Sequence, residues 1–272
     1  MPAEQMQTLN RAIAVLDCFS QEQTELGVRE ISRMVNLSTS ATGRLLSALK
    51  ELGILSQNPE TRAYSMGARV LSWAGVYNAT LEVRNHAMPE IDNLRQSTRE
   101  TISLYILEGS ERVCIERQES PQGLRVVTRV GRRLPLYAGS AGKVMLAFLP
   151  SDQQEAVLQA HPLEQLTSKT ITDPDVLRRE LKKANERGIA VSVGEWIEDA
   201  AGVAAPIFDQ HGQVIAALSI SGPAQRFTKE NVRRYGEEVK SAAARISESL
   251  GYSRTNTSQS ARYQQTIQEQ GK

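Results

Sequence analysis

The chain has 272 residues and a formal net charge of +1 at pH 7, with 40% hydrophobic and 23% charged residues. This length predicts two domains, each large enough for its own core, and the near-neutral charge excludes a global basic field that would hold nucleic acid. No segment approaches the roughly 20 apolar residues of a membrane span, and no signal peptide is recognisable at the start. Cys18 and Cys114 fit no metal or redox spacing, so we expect two reduced thiols in a cytoplasmic protein.

A first helix is predicted from Thr8 to Phe19, and its apolar residues share one side. These residues are Leu9, Ile13, Leu16 and Phe19. Arg11 lies on the opposite side, where a first helix can reach a phosphate group.

Two further helices, joined by a tight turn, are predicted between residues 28 and 52. The second begins at its N-cap Ser38 and ends before Gly53. Its apolar residues recur at helical spacing and are expected to face a core; they are Leu45, Leu46, Leu49 and Leu52. A hairpin with strands at 54–57 and 62–66 follows. This order is typical of a winged helix-turn-helix.

The outer face of the second of these helices carries small, hydroxylated and cationic residues. Such a face fits the major groove of B-DNA, where short side chains let the backbone approach the base edges. We expect Arg44 to reach a guanine or a phosphate, and Arg11 and Arg62 to bind phosphates. The predicted DNA contacts are Arg11, Ser38, Thr39, Ser40, Thr42, Gly43, Arg44, Ser47 and Arg62. The alternative is a protein-docking module, because winged helices also serve that purpose.

Residues 1–69 hold seven cationic and seven acidic side chains, and the cations concentrate in residues 38–69, with four against two. One copy therefore attracts DNA weakly, and we expect binding to need more than one copy. From residue 67 to about 99 the pattern stays helical, with an interruption at Pro89. We assign residues 1–69 to the DNA-binding domain and predict a linker and dimerisation helix at 70–85, because an apolar stripe runs along it. The alternative is a helix that packs only on its own domain.

Residues 86–254 predict an α+β domain. Strands are predicted at 101–107, 112–116, 124–130, 189–193, 203–208 and 214–221. Helices are predicted at 141–148, 151–161, 173–187 and 228–250. This order indicates a mostly antiparallel sheet, covered by helices on one side and open as a cup on the other. The polar stretch 255–272 is predicted to be disordered.

Two features of this domain predict a small-molecule site. The turn from Gly139 to Lys143 departs from the phosphate-binding loop pattern, but it enters a helix N-terminus, where free N–H groups favour an anion. Ser219 and Ser221 lie on one face of a strand. The alternatives are close packing of small residues at the turn and a strand that faces water.

The sequence contains no recognisable catalytic constellation. The three histidines have no metal-ligand spacing, and no Gly-x-Ser-x-Gly sequence is present. The acidic loop at 195–199 is expected to be solvated. The basic run from Arg125 to Arg133 favours a salt-bridge role over nucleic acid. We therefore expect no enzyme activity, no cofactor and no metal.

Several motifs of the chain resemble the IclR family of bacterial transcription regulators, over about residues 7–252. They are Leu9-Asn10-Arg11-Ala12, Arg44-Leu45-Leu46, Leu134-Pro135-Leu136-Tyr137-Ala138 through Gly142-Lys143, Ala204-Ala205-Pro206-Ile207-Phe208-Asp209, and Ala217-Leu218-Ser219-Ile220-Ser221-Gly222-Pro223. The resemblance implies an N-terminal winged helix-turn-helix, a linker helix and a GAF-like effector domain. It also implies homodimers or homotetramers that bind palindromic operators in double-stranded DNA and control catabolic genes.

The resemblance also implies effector contacts, which fall on Ser140, Ala141, Ser192, Gly202, Ser219 and Ser221. Ser192 stands where some relatives carry an aspartate, and Gly202 where some carry a cysteine. Relatives often show a Pro-Lys/Arg-Ser-Thr run where this chain has Ser38-Thr39-Ser40-Ala41, so one usual cationic contact is absent. Gly131-Arg132-Arg133 with Pro135-Leu136-Tyr137 is similar to members that sense sugar-acid breakdown products.

Two hypotheses for the function follow. The first is a DNA-binding regulator, expected to be a repressor, that responds to a small organic-acid or aromatic effector. The second is an enzyme that acts on a small acid and carries the winged helix as a docking module. Arg44 on a capped helix favours the first hypothesis, and the missing base or nucleophile counts against the second.

Overall fold

The computed structural model describes residues 2–20, 22–123, 129–160 and 162–253. The chain divides between Leu81 and Glu82 into two compact units, and each is described by itself. The predicted disordered tail at 255–272 lies outside the described residues. No described helix is both long and apolar enough to cross a lipid bilayer.

The described part of the N-terminal unit consists of helices and one hairpin. In chain order these are α1 (Pro2–Leu16), α2 (Val28–Met34), α3 (Thr39–Glu51), β1 (Leu55–Gln57), β2 (Tyr64–Met66) and α4 (Arg69–Thr80). The strands β1 and β2 pair antiparallel, so the predicted winged helix-turn-helix is confirmed. A small core of fully or nearly fully buried side chains joins the helices to the hairpin; it includes Val15, Leu26, Ile31, Leu46 and Leu49.

The ends of α3 are those that the sequence predicts. The Ser38 hydroxyl accepts a hydrogen bond from the Ala41 amide at 3.2 Å, which satisfies one of the free amides at the helix start. Gly53 follows the helix with φ 72°, the left-handed conformation that glycine adopts at little cost. Leu52, however, is 54% exposed. Its predicted core position is wrong because it is the C-cap, and α3 ends before the helix turns back to the core.

The apolar side predicted for the first helix is also only partly buried. Leu9 and Ile13 are 63% and 51% exposed, whereas Val15 and Leu16 pack on the core. The helix therefore packs through its C-terminal half, and it leaves an apolar strip uncovered in the single chain.

The helix predicted from 67 to 99 breaks at Leu81 instead of at Pro89. The Thr80 hydroxyl donates to the Tyr77 carbonyl at 2.7 Å, so it satisfies an acceptor that the end of α4 leaves open. The next helix, α5 (Glu82–Thr98), contains Pro89 in its interior. Pro89 is exposed, so the carbonyl that lost its amide partner can bond to water. The linker helix predicted at 70–85 thus ends five residues early, at Thr80.

The C-terminal unit is an α+β domain around one antiparallel sheet, and the predicted fold class is confirmed. After α5 its elements are β3 (Thr101–Glu108), β4 (Glu111–Gln118), β5 (Arg133–Pro135), α6 (Ser140–Phe148), α7 (Ser151–Ala160), α8 (Pro174–Arg187), β6 (Ala190–Val193), β7 (Ala200–Phe208), β8 (Val214–Pro223), a 3₁₀ turn at Ala224–Arg226 and α9 (Lys229–Ser249). The order in the sheet is β5-β4-β3-β8-β7-β6. Residues 124–128 of the predicted strand at 124–130 lie outside the described residues, and the short strand β5 comes after it.

Helices lie on both faces of the sheet. The helices α5 and α9 pack together and cover one face, through β3 and β7. The opposite face was predicted to be an open cup, but α6 packs on β6, β7 and β8 there, and its residues from Ser140 to Ala147 are buried. The prediction failed because α6 is too apolar to remain at the surface. What remains of the cup is a cavity at the N-terminus of α6.

The two cysteines are buried free thiols, as predicted. Burial raises the pKa of Cys114 to about 12, so this thiol stays protonated and unreactive at neutral pH.

Candidate DNA-binding surface and ligand cavity

The predicted outer face of α3 is present in the structure. Ser40, Arg44 and Ser47 are exposed and recur at the four- and three-residue steps that place side chains on one helix face. Thr39 and the capping residue Ser38 are exposed at the start of the helix, and Gly43 is half-buried between them and Arg44. A Cβ added at Gly43 would meet nothing within 4 Å, so this position leaves the backbone open to a partner.

Thr42 does not belong to this surface. It is fully buried, and its hydroxyl has no hydrogen-bond partner among the described residues. The prediction failed because Thr42 precedes the buried Leu46 by four residues and so shares its inward face. We therefore remove Thr42 from the candidate DNA contacts.

Both cations predicted to bind phosphates are exposed. Arg11 lies on α1, and Arg62 lies in the wing turn with φ 61°. The Gln57 side-chain amide donates to the Arg62 carbonyl at 3.0 Å, and the Asn58 carboxamide accepts from the Glu60 and Thr61 amides at 3.0 and 3.2 Å. These bonds fix the tip of the wing on which Arg62 is presented.

In the C-terminal unit, all six residues predicted to bind an effector line one cavity. Ser140 and Ala141 come from the first turn of α6, and the other four come from neighbouring strands. Ser192 on β6 pairs with Gly202 on β7, and Gly202 pairs with Ser221 on β8. Three residues from three strands therefore form a row across the sheet beneath the start of α6.

Gly202 leaves room for the Ser140 hydroxyl at its place in this row. A Cβ built there would lie 2.8 Å from the Ser140 hydroxyl oxygen, closer than carbon and oxygen atoms approach without a shift. A side chain here would therefore displace the Ser140 hydroxyl. The cavity has a volume of about 60 Å³. At roughly 10–15 Å³ for one water, this space admits about four to six water molecules and therefore a small ligand.

A buried arginine, which the sequence analysis missed, forms one wall of the cavity. Arg112 is 3% exposed, donates to the Pro135 carbonyl and lies with its guanidinium carbon 5.6 Å from the centre of the Tyr105 ring. A Cβ on Gly139 would come within 3.1 Å of its guanidinium, and a Cβ on Gly142 would clash with it. These glycines therefore admit a cation beneath the start of α6. Burial lowers the pKa of Arg112 to about 10, so the guanidinium is still charged at neutral pH.

Lys143 and Glu195 form a buried ion pair beside this arginine. Their side chains are 3% and 9% exposed, and the Lys143 ammonium also donates to the Val191 carbonyl at 2.9 Å. The second carboxylate oxygen of Glu195 accepts from the Gly139 amide at 3.2 Å. Glu195 was predicted to be solvated, which is wrong, because the cation that neutralises it lies 52 residues earlier in the chain.

The loop after β6 closes the cavity with Trp196. This loop is held by two hydroxyls: Thr167 donates to the Gly194 carbonyl at 2.5 Å, and Thr170 donates to the Glu195 carbonyl at 2.8 Å. The Arg132 guanidinium lies 5.0 Å from the centre of the Trp196 ring. The indole N–H of Trp196 is buried and has no hydrogen-bond partner among the described residues.

One signal for Arg112 was present in the sequence. It lies two residues before Cys114 on β4, and strand alternation places the two side chains on one face. The burial of that face becomes apparent only when the helix packed on it is known. No sequence signal pointed to Trp196. The salt-bridge role predicted for the basic run is confirmed at Arg133, which pairs with Glu108 and Glu111.

The described residues contain no group of three His, Cys, Asp or Glu side chains that could hold a metal ion. A winged helix with an exposed polar face, followed by a domain that holds a small ligand cavity, defines a ligand-responsive DNA-binding regulator.

Comparison with known proteins agrees with this class. Residues 8–59 match the family described as the IclR helix-turn-helix domain, and residues 76–248 match the bacterial transcriptional regulator IclR C-terminal family. The chain belongs to the IclR family of bacterial transcriptional regulators. The relatives are named as regulators, which favours the regulator hypothesis over the enzyme hypothesis.

Three relatives illustrate the similarity. The HTH-type transcriptional regulator KipR of Bacillus subtilis is 34% identical over 90% of this chain and 97% of its own length. The HTH-type transcriptional repressor AllR of Klebsiella pneumoniae is 32% identical over 90% of both chains. The structure of an IclR homologue complexed with 4-hydroxybenzoate, from Microbacterium hydrocarbonoxydans, is 31% identical, covers 89% of this chain and 98% of its own, and has a TM-score of 0.79.

Proposed function

We propose that this regulator is a repressor that binds a palindromic operator as a homo-oligomer and responds to a small organic acid bound in the cavity at the start of α6. The observation that carries this proposal is the convergence of six residues from four elements on one small cavity. The relative AllR is named as a repressor, which supports repression over activation.

The recognition face supports binding in the major groove. Ser40, Arg44 and Ser47 are exposed on one face of α3, and an arginine on such a face is suited to bidentate bonds with guanine. Because residues 1–69 have no net charge, phosphate attraction in one copy is weak. Two copies related by a twofold axis double the contacts and match a palindrome.

Uncovered apolar side chains support the homo-oligomer. On α4, Leu71 is 76%, Val76 67%, Trp73 48% and Tyr77 47% exposed in the single chain. Large apolar side chains grouped on one helix mark an interaction surface. We assign this surface to a second copy of the chain, and leave the choice between dimer and tetramer to a mass measurement.

The cavity supports a small acid as the effector. The first amides of α6 have no carbonyl partner within their own helix, and the helix dipole places partial positive charge at that end. Ser140, Ser219 and Ser221 add hydroxyls around the same space. The homologue in complex with 4-hydroxybenzoate supports an acid as the kind of effector.

A gel-shift experiment tests the proposal. The full chain is incubated with DNA from upstream of its own gene, and small carboxylates that stabilise the chain in a thermal-shift screen are then added. We expect a shifted band that is competed by the same DNA but not by a scrambled sequence, and that a stabilising acid weakens. A chain that binds the specific and scrambled DNA equally would instead support a docking module.

A further inference from the structure

Glycines inside the described helices differ in whether the fold explains them. A Cβ on Gly142 of α6 would lie 2.6 Å from the Leu136 carbonyl oxygen. A Cβ on Gly236 of α9 would lie 2.8 Å from the Ile189 side chain. Gly43 of α3 has neither constraint: a Cβ there would meet nothing within 4 Å, and its φ is not positive. Within the described chain, neither packing nor backbone conformation requires glycine at this position.

Gly43 also weakens the helix that contains it. It is the fifth of the thirteen residues of α3, so it lies in the helix interior. Glycine there destabilises a helix relative to alanine, because it loses more backbone freedom on folding. The missing side chain therefore does not benefit the fold, and its benefit has to come from contact with another molecule.

The position of Gly43 indicates which molecule this is. It directly precedes Arg44 and lies one helical turn from the exposed Thr39 and Ser47, in the helix-turn-helix domain at residues 8–59. The N-terminal part of a recognition helix contacts base edges in the major groove. Gly75, the other helical glycine without an internal contact, lies on α4, which we assign to a second copy of the chain.

We propose that Gly43 is a specificity-determining residue of the DNA-binding surface. It is the point where α3 comes closest to the base edges of the operator, and a side chain there would hold the helix out of the groove. This inference rests on the proposed function, since it takes α3 as the element that enters the major groove. Contacts to phosphates do not depend on the depth of the helix in the groove in the same way, and they carry no sequence information.

Gly43→Ala in the full chain tests the proposal, because its effects on the helix and on the complex have opposite signs. Hydrogen exchange of the α3 amides should become slower, since alanine favours the helix. Fluorescence anisotropy is measured at constant salt with DNA from upstream of the gene and with a scrambled sequence of the same length. Binding to the upstream DNA should weaken by about fivefold or more, the equivalent of one lost bidentate base contact, and binding to the scrambled DNA should not change. Gly43→Leu, with a larger side chain, should weaken binding to the upstream DNA further.

Ala48→Gly is the matched control. Ala48 is exposed on the same helix and is not one of the predicted DNA contacts, so this change weakens α3 without altering the proposed point of closest approach. Its affinity for the upstream DNA should equal that of the wild type. Gly43→Ala combined with Ala48→Gly keeps the composition of the helix. This double variant should show hydrogen exchange close to that of the wild type and bind the upstream DNA as weakly as Gly43→Ala.

The outcomes separate this inference from the proposed function. A wild type that binds upstream and scrambled DNA equally contradicts the proposed function and this inference with it. A wild type that discriminates between them, together with a Gly43→Ala or Gly43→Leu variant that discriminates equally well, overturns this inference alone. Equal losses on both DNA sequences in Gly43→Ala also overturn it, because they show that the glycine does not act through base contacts.

Discussion

Arg44 is the one cation among the predicted DNA contacts on the exposed face of α3. We therefore expect it to contribute most to base recognition. Arg44→Ala is expected to weaken specific operator binding by about 1–3 kcal/mol if the side chain bonds a guanine bidentately. Fluorescence anisotropy with operator and mutated operator DNA measures this loss. Lys50→Ala is the control, because it removes a cation from the last turn of the same helix, where the ammonium bonds to Gln57 at 3.1 Å. Equal losses in the two variants would show that α3 does not read bases through Arg44.

Ser219 and Ser221 provide hydroxyls on the sheet side of the cavity. A hydrogen bond contributes about 1 kcal/mol net. Ser219→Ala combined with Ser221→Ala should therefore weaken effector binding by roughly 2 kcal/mol, which raises the dissociation constant about thirtyfold. Ligand-free operator binding should not change, since neither residue belongs to the N-terminal unit. Calorimetry with the effector measures the affinity. If the double variant binds as tightly as the wild type, the effector lies elsewhere.

Individual residues show how far the sequence could be interpreted. Ser219 and Ser221 were predicted from strand alternation alone, whereas Ser192 and Gly202 needed a family resemblance. Thr42 was assigned to the wrong face of its helix, and Arg112 was missed. The reason is the same for both errors: whether a polar side chain is buried depends on the element that packs over it, which the local pattern does not specify.

At the scale of elements, the Lys143–Glu195 pair fixes the start of α6 to the loop that carries Trp196. Removing one partner leaves a buried charge unpaired, so Glu195→Ala should lower the free energy of unfolding by about 3–5 kcal/mol. Urea unfolding of Lys143→Met, of Glu195→Leu and of the double variant with both changes gives the coupling energy of the pair. The double variant should recover much of the loss.

Arg178→Ala provides the surface comparison, because Arg178 pairs with Glu155 at 2.8 Å where both side chains are more than two fifths exposed. Exposed pairs contribute about 0–1 kcal/mol. A Glu195→Ala loss no larger than that of Arg178→Ala would contradict the structural role of the buried pair.

The exposed apolar side chains of α4 predict that the homo-oligomer dissociates when charges are placed on this helix. Leu71→Glu combined with Val76→Glu places two charges in the proposed contact, so light scattering should show a smaller mass than for the wild type and operator affinity should fall. Met34→Glu, which changes an exposed apolar residue on α2 (54% exposed), should leave the mass unchanged. A wild type that is monomeric at micromolar concentration and still binds its operator fully would exclude this role for α4.

Element ends were predicted best where a capping residue defines them. Asp173 accepts from the Asp175 and Val176 amides at 2.8 and 3.0 Å, Pro174 opens α8, and Gly188 ends it with φ 72°. The break at Leu81 was not predicted, and Pro89 was taken as the break instead. A proline ends a helix only when its lost hydrogen bond has no substitute, and exposure to water decides that.

At the scale of the whole molecule, the two units are expected to be coupled through the effector. A ligand that binds one state of the regulator better must alter operator affinity, and the operator must alter ligand affinity by the same factor. This reciprocity connects the Arg44 surface to the Arg112 cavity without any assumption about the path between them.

The most direct test is therefore to measure both halves of this cycle with one stabilising carboxylate. Operator affinity is determined with and without saturating acid, and acid affinity with and without saturating operator. We predict that the acid weakens operator binding by a factor of about 5–150 and that the operator weakens acid binding by the same factor. An acid that occupies the cavity while both factors equal one would contradict the account.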